Sequence, residues 1–103
     1  MLNGKQKRFL RGLGHGLKPL VRVGKNEFNG ALAEETVSAI AAHELIKIKL
    51  LESCEMDRYE VAEKLAEAAD AEVAQILGRT ILLYRQGEKP KIELPQKQLS
   101  DER

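Results

Sequence analysis

The sequence predicts an α/β chain of the α+β kind, ordered helix-β-α-β-α-β-β around a four-stranded mixed sheet. Three observations lead there. Short β-branched runs alternate with stretches of helical apolar spacing. The strand–helix–strand spacing implies a right-handed crossover joining parallel strands. The last two runs are separated only by Gly78-Arg79, which has the length and leading glycine of a tight II′ hairpin and makes the closing pair antiparallel. Two helices on one face of the sheet is the economical packing, which leaves the first helix to dock on an edge or on the other face.

Taken in order, residues 4 to 13 read as a helix, with Phe9, Leu10 and Leu13 apolar and Lys7, Arg8 and Arg11 beside them. Gly12, Gly14 and Gly16 fall at its end as stop signals. Pro19 is excluded from a helix interior, and Leu20-Val21-Arg22-Val23 follows as a short strand. A loop at Gly24 to Asn26 leads to a helix over residues 27 to 42, with Leu32, Thr36, Val37 and Ile40 on one side and Glu34, Glu35 and Ser38 opposite. Asn26 is the expected N-cap, which makes Glu27 the first helical residue.

His43 and Glu44 break the pattern. Leu45 to Leu51 is a strand with Ile46, Ile48 and Leu50 facing one way and Lys47 and Lys49 the other. Asp57 with Glu60 forms a capping pair for a helix carrying Val61, Leu65 and Ala68. Residues 72 to 77 and 80 to 85 are strands. After Arg85 the chain turns polar, so residues 1–86 are expected to form one domain and residues 87–103 a flexible tail.

A chain of 103 residues with 43% apolar content holds one modest core. That core is aliphatic, because Phe9, Phe28, Tyr59 and Tyr84 are the whole aromatic supply. Cys54 is the single cysteine, which excludes an internal disulfide and fits a reducing cytoplasm. No apolar run approaches the roughly twenty residues of a membrane span. No signal-peptide hydrophobic region is visible at the N-terminus.

The charge distribution points to function. The formal charge is only +1, yet the first 26 residues hold seven bases (Lys5, Lys7, Arg8, Arg11, Lys18, Arg22 and Lys25) and no acid. The remaining 77 residues hold 10 basic and 16 acidic residues. One end is therefore suited to a polyanion while the rest stays neutral to acidic. The Gly24-Lys25-Asn26 turn before a helix adds backbone N–H groups that suit a phosphate.

Three segments in order carry a resemblance. Leu17-Lys18-Pro19-Leu20-Val21 with Val23-Gly24-Lys25-Asn26, then His43 to Lys49, then Ile76 to Arg85, resemble the CRM domain, the chloroplast RNA splicing and ribosome maturation module, in its free-standing bacterial YhbY form. The likeness spans roughly residues 2 to 95. It implies RNA binding, association with precursors of the large ribosomal subunit, no catalysis, and kinship with the C-terminal domain of a bacterial translation initiation factor. The family's Gly-x-x-Gly loop reads Gly24-Lys25-Asn26-Glu27 here, with the second glycine replaced. Glu27 is expected to repel a phosphate at that place and to shift affinity onto the flanking bases.

The expected RNA-binding set is Lys5, Lys7, Arg8, Arg11, Lys18, Arg22, Gly24, Lys25, Asn26, Lys47, Lys49, Arg79 and Arg85. Contacts fall mainly on the RNA backbone, and the few aromatics are too sparse for a stacking platform. Solvated strand polarity alone accounts for Lys47 and Lys49, and turn polarity for Arg79. His15, His43, Cys54, Met56 and the pairs Glu34–Glu35 and Glu63–Glu67 have plain structural explanations. No metal-ligand spacing, nucleophile–base pair or Walker loop is present in the sequence. The expectation is a cytoplasmic monomer with RNA as partner and no cofactor, membrane or small-molecule substrate. A module docking an acidic protein through the same basic edge, and a small nucleotide-binding regulator, remain open, with an enzyme last.

Overall fold

A computed structural model describes residues 2–25 and 29–95. The order is α1 (Gly4–Gly14), β1 (Val21–Val23), α2 (Gly30–His43), β2 (Leu45–Leu50), α3 (Arg58–Ala69), β3 (Glu72–Leu77) and β4 (Thr80–Tyr84). The sheet runs β1-β2-β4-β3. β1 and β2 are parallel, whereas β2–β4 and β3–β4 are antiparallel. The mixed sheet and element order expected from the sequence are those observed. Gly78 has φ +59° and Arg79 is not among the residues with positive φ, the signature of the expected II′ turn.

Side-chain alternation along the central strands divides the interior in two. Ile46, Ile48 and Leu50 of β2 and Ile81 and Leu83 of β4 join Val21, Val23, α2 and α3 in the main core. Leu45, Leu82 and Tyr84 point the other way, where they meet Leu2 and Leu10 at α1. Of the two positions left open for α1, the structure selects the opposite face. The contact is close because Gly14 lies on Leu82, where an added Cβ would come within 2.5 Å of a Leu82 methyl carbon. Gly14 thus serves packing rather than backbone conformation, for the capping residue His15 is right-handed at φ −55°. Of the three apolar residues Phe9, Leu10 and Leu13 of α1, only Leu10 is buried; Phe9 and Leu13 are 38% and 42% exposed. Gln6 takes their place, held by a capping box with Asn3 and donating from Nε2 to the Pro95 carbonyl at 2.9 Å.

Two further helix details depart from the sequence reading. α2 starts at Gly30, three residues beyond the expected start, because Asn29 is extended (φ −140°, ψ 176°) and its Oδ1 accepts from Leu32 N at 2.8 Å. Asn29, not Asn26, is the N-cap; Asn26, Glu27 and Phe28 lie outside the described residues. On α3, Asp57 caps as expected, accepting from the Tyr59 and Glu60 amides at 3.0 and 3.2 Å. Its buried residues are Val61, Ala62, Leu65 and Ala69, whereas Ala68 is exposed.

The largest departure concerns the predicted tail. Its described part, Gly87 to Pro95, is docked. The Glu44 carboxylate accepts from Gly87 N at 2.8 Å and from Lys91 N and Ile92 N at 2.9 Å each. Ile92 and Leu94 pack on the cluster beneath α1. Residues 96–103 lie outside the described residues. Glu44 is 2% exposed and has φ 62°, a backbone position that non-glycine residues rarely occupy. Burial raises its pKa, but the three amides and the Lys91 charge outweigh that and hold it below the usual carboxylate value.

A carboxyl pKa lowered in the folded state contributes stability that is present above its unfolded value and lost as pH falls through its folded one. Glu44→Ala is therefore expected to cost about 2–3 kcal/mol near neutral pH, the scale of losing charge-assisted hydrogen bonds. The deficit relative to the parent should shrink as pH falls through the carboxylate range. Denaturant melts across pH, with hydrogen exchange at the Gly87, Lys91 and Ile92 amides, measure both effects.

Candidate nucleic-acid interface

The strand directions define two ends of the sheet. Val23 at the end of β1 pairs with Leu50 at the end of β2, and Thr80, opening β4, pairs with both Lys49 and Leu77. The loops after β1 and β2 and the Gly78-Arg79 turn therefore share one end. So do the N-termini of α2 and α3, which follow those two loops. In sheets with parallel strands, ligands commonly bind outside the carboxyl ends of those strands. Two helix dipoles also place their positive ends there.

This end is tied together by backbone-directed contacts. Leu51 N donates to Val23 O at 2.9 Å, and Leu50 N donates to Arg79 O at 2.8 Å. The Arg79 guanidinium donates to Leu51 O at 3.0 Å, so one of its N–H groups is structural while others remain for a ligand. Gly24 sits over the same loop: a Cβ added there would lie 3.4 Å from Ser53 Oγ and 3.7 Å from Leu51 Cδ1, ordinary contact distances. The fold itself does not demand glycine at this position. Lys25 is exposed beside it, and Arg22, Gly24, Lys25, Asn29 and Glu35 line a shallow groove between the loop and the start of α2.

The outer sheet face continues the basic surface. Val21 and Val23 are buried in the main core, so Arg22 between them projects to the opposite side and is exposed. Its register partner is Lys49, also exposed. Lys47 lies two residues back on β2, half-buried, with its carbonyl accepting from Leu20 N at 3.0 Å. The same face carries α1, on which Lys5 and Arg8 are exposed and Lys7 and Arg11 half-buried. Lys18, exposed, belongs to the segment linking α1 to β1.

Most of the expected set is thus brought to one end and one face. Arg85 is not. It follows β4 at the far end of the sheet, half-buried, and its guanidinium donates to Ala69 O at 3.1 Å, at the C-terminus of α3. Asn26 lies outside the described residues.

Arg58 and Tyr59 belong to this end and were missed in the sequence. Arg58 donates to Gly78 O at 3.0 Å and to the Tyr59 hydroxyl at 3.3 Å, with its guanidinium carbon 5.0 Å from the Tyr59 ring centroid. Nothing in their local sequence marks them, because the contact that places them is with a turn twenty residues on. Among the described residues no group of three or more His, Cys, Asp or Glu is arranged to hold a metal ion, and no helix is long and apolar enough to cross a membrane.

Comparison with known proteins agrees with this architecture. The model of the CRS1 / YhbY (CRM) domain family matches residues 2–85. Over 96 residues the chain is 44% identical to the Bacillus subtilis (strain 168) protein named Probable RNA-binding protein YqeI, covering 92% of this chain and 100% of that one. It is 35% identical over 96 residues to a Haemophilus influenzae protein named RNA-binding protein, covering 93% and 97% of the two chains. A Staphylococcus aureus protein of known solution structure superposes with a TM-score of 0.78 at 40% identity, covering 92% of this chain and 100% of that one. With the family match spanning nearly the whole described fold, the chain belongs to the CRS1/YhbY (CRM) domain family.

Proposed function

We propose that this protein binds structured RNA without catalysing a reaction, as a cytoplasmic monomer acting on ribosomal RNA in precursors of the large ribosomal subunit. The observation that carries the reading is the cross-strand pair Arg22↔Lys49, two exposed like charges placed side by side by the parallel register. Like charges directly opposite one another in a sheet are destabilising. A bound phosphate offsets that cost. The pair also lies next to the Gly24-Lys25 loop, on the sheet face that carries α1. The relatives' names as RNA-binding proteins support the polyanion as RNA. Backbone amides near Gly24 and the lysines hold phosphates, which position the RNA and carry little sequence information. Shape and unpaired bases of a folded RNA then supply selectivity.

Docking on an acidic protein is the second reading. It draws on the exposed apolar side chains Phe9, Leu13, Leu17 and Leu20 next to the bases of the N-terminal region. Sedimentation of tagged protein from a cell lysate across a ribosome gradient separates the two readings. Co-migration with large-subunit precursors, abolished by ribonuclease, is expected; migration with free protein in every fraction would overturn the ribosomal reading.

Three measurements follow. Affinity for a structured ribosomal RNA fragment should fall steeply with salt, with a slope of log K against log salt of about −3 to −4 if about four phosphates are neutralised. Lys25→Glu should weaken binding across different RNA sequences while leaving stability within about 0.5 kcal/mol, since Lys25 is exposed. Lys49→Thr should lower RNA affinity, reduce the salt slope by about 1, and raise stability by a few tenths of a kcal/mol through relief of its repulsion with Arg22. A thermal melt and a filter-binding titration on each variant read both quantities.

A further inference from the structure

The end of the sheet carrying the Gly24 loop also carries an aromatic ring already stacked on a cation. Tyr59 is 56% exposed even with the Arg58 guanidinium 5.0 Å from its ring centroid. The guanidinium is fixed on two sides, by Gly78 O at 3.0 Å and by the Tyr59 hydroxyl at 3.3 Å. Tyr59 itself is fixed at the first turn of α3, where its amide donates to Asp57 Oδ2 at 3.0 Å. A cation held against a ring and a ring held at a capped helix start lose little freedom when a third flat group joins them.

We propose that Tyr59 is a stacking site for one unpaired RNA base, completing a base–Tyr59–Arg58 stack beside the phosphate-binding end of the sheet. The proposal rests on the RNA-binding reading above and adds to it the nucleotide feature recognised there. Charge selects a base over a phosphate. Asp57, the cap of α3, and Glu60 in its first turn flank Tyr59 and both are exposed, with Glu52 and Glu55 exposed in the loop that leads to the helix, so a phosphate is repelled where the neutral face of a base is not. Phosphates are drawn instead to Lys25 and Arg79. Arg79 is the residue after Gly78, on which Arg58 is anchored, and its guanidinium reaches the Leu51 carbonyl beneath Gly24. A strand whose backbone follows Lys25 and Arg79 therefore brings a splayed base to the Tyr59 ring. Duplex RNA, with its bases stacked internally, has none to offer.

The test titrates the full chain with an RNA hairpin bearing an unpaired loop and with a fully paired duplex of equal phosphate number, comparing the parent, Tyr59→Ala and Tyr59→Phe. The chain has no tryptophan, and its second tyrosine, Tyr84, is 4% exposed, so quenching of tyrosine emission by direct contact with a base reports on Tyr59. Expected are quenching by the hairpin but not by the duplex, and a loss for Tyr59→Ala of about tenfold on the hairpin alone, the scale of base–aromatic stacking. The salt slope and melting temperature should stay unchanged, and Tyr59→Phe should bind within about twofold of the parent. Equal hairpin affinity of parent and Tyr59→Ala would overturn the stacking proposal while leaving RNA binding intact. Equal losses on hairpin and duplex would assign Tyr59 a structural role and overturn it too. A parent protein that binds neither RNA would overturn the RNA-binding reading itself.

Discussion

The parallel register of β1 on β2 is the constraint on which the rest of the surface depends. Val21↔Ile48, Arg22↔Lys49 and Val23↔Leu50 are paired, and both valines are essentially fully buried. Because side chains alternate, a slip of one residue would drive Arg22 into the aliphatic core and expel both valines from it. Burial of two valines therefore fixes where the cation projects. The same register ends β1 level with β2, so that the Gly24 loop meets Leu51 and Ser53. A strand of only three residues thus positions both the proposed phosphate loop and the cationic pair beside it.

At the other end of the sheet, charge serves cohesion. Glu44 is buried and nearly saturated by three amides, Arg85 closes the C-terminus of α3, and Lys91 Nζ donates to the Ala42 carbonyl at 3.1 Å. The docked segment from Gly87 to Pro95 covers the cluster that also holds α1. Leu2 N donating to Glu72 Oε1 at 2.7 Å fastens the chain's beginning to the same place. The basic helix is therefore attached to the sheet by packing through Leu10 and Gly14 and by the docked segment through Gln6. Burial of the Tyr84 hydroxyl, with the Glu44 and Glu72 charges adding to it, raises that phenol's pKa and keeps it neutral.

The two ends use arginine in different ways. Arg85, half-buried, donates to the Ala69 carbonyl at the C-terminus of α3, and Arg58 is held by the Gly78 carbonyl and the Tyr59 hydroxyl, whereas exposed Arg79 uses one contact to a backbone carbonyl as an anchor and keeps its remaining surface outward. A planar fork held by one edge is preorganised for a second ligand, phosphate or π-face, in a way that a free lysine is not.

By itself the sequence determined the element order, the mixed sheet, the II′ turn at Gly78 and the division of β2 into isoleucines on one side and lysines on the other. Those features follow from local periodicity and from the backbone freedom of one glycine, and each is written within a few residues of chain. The asymmetry of charge was equally legible. Only the tertiary structure decided which face receives α1, because the apolar side of that helix is shared between the buried Leu10 and the exposed Phe9 and Leu13, and the close fit of Gly14 on Leu82 breaks the tie. It also capped α2 with Asn29 in place of Asn26, docked the segment after Gly87 through a glutamate more than forty residues earlier, set Arg85 apart from the other cations and brought Arg58 and Tyr59 to the Gly78 turn. Each of these is a contact between residues distant in the chain or a competition between equivalent local signals. Neither leaves a periodicity to read.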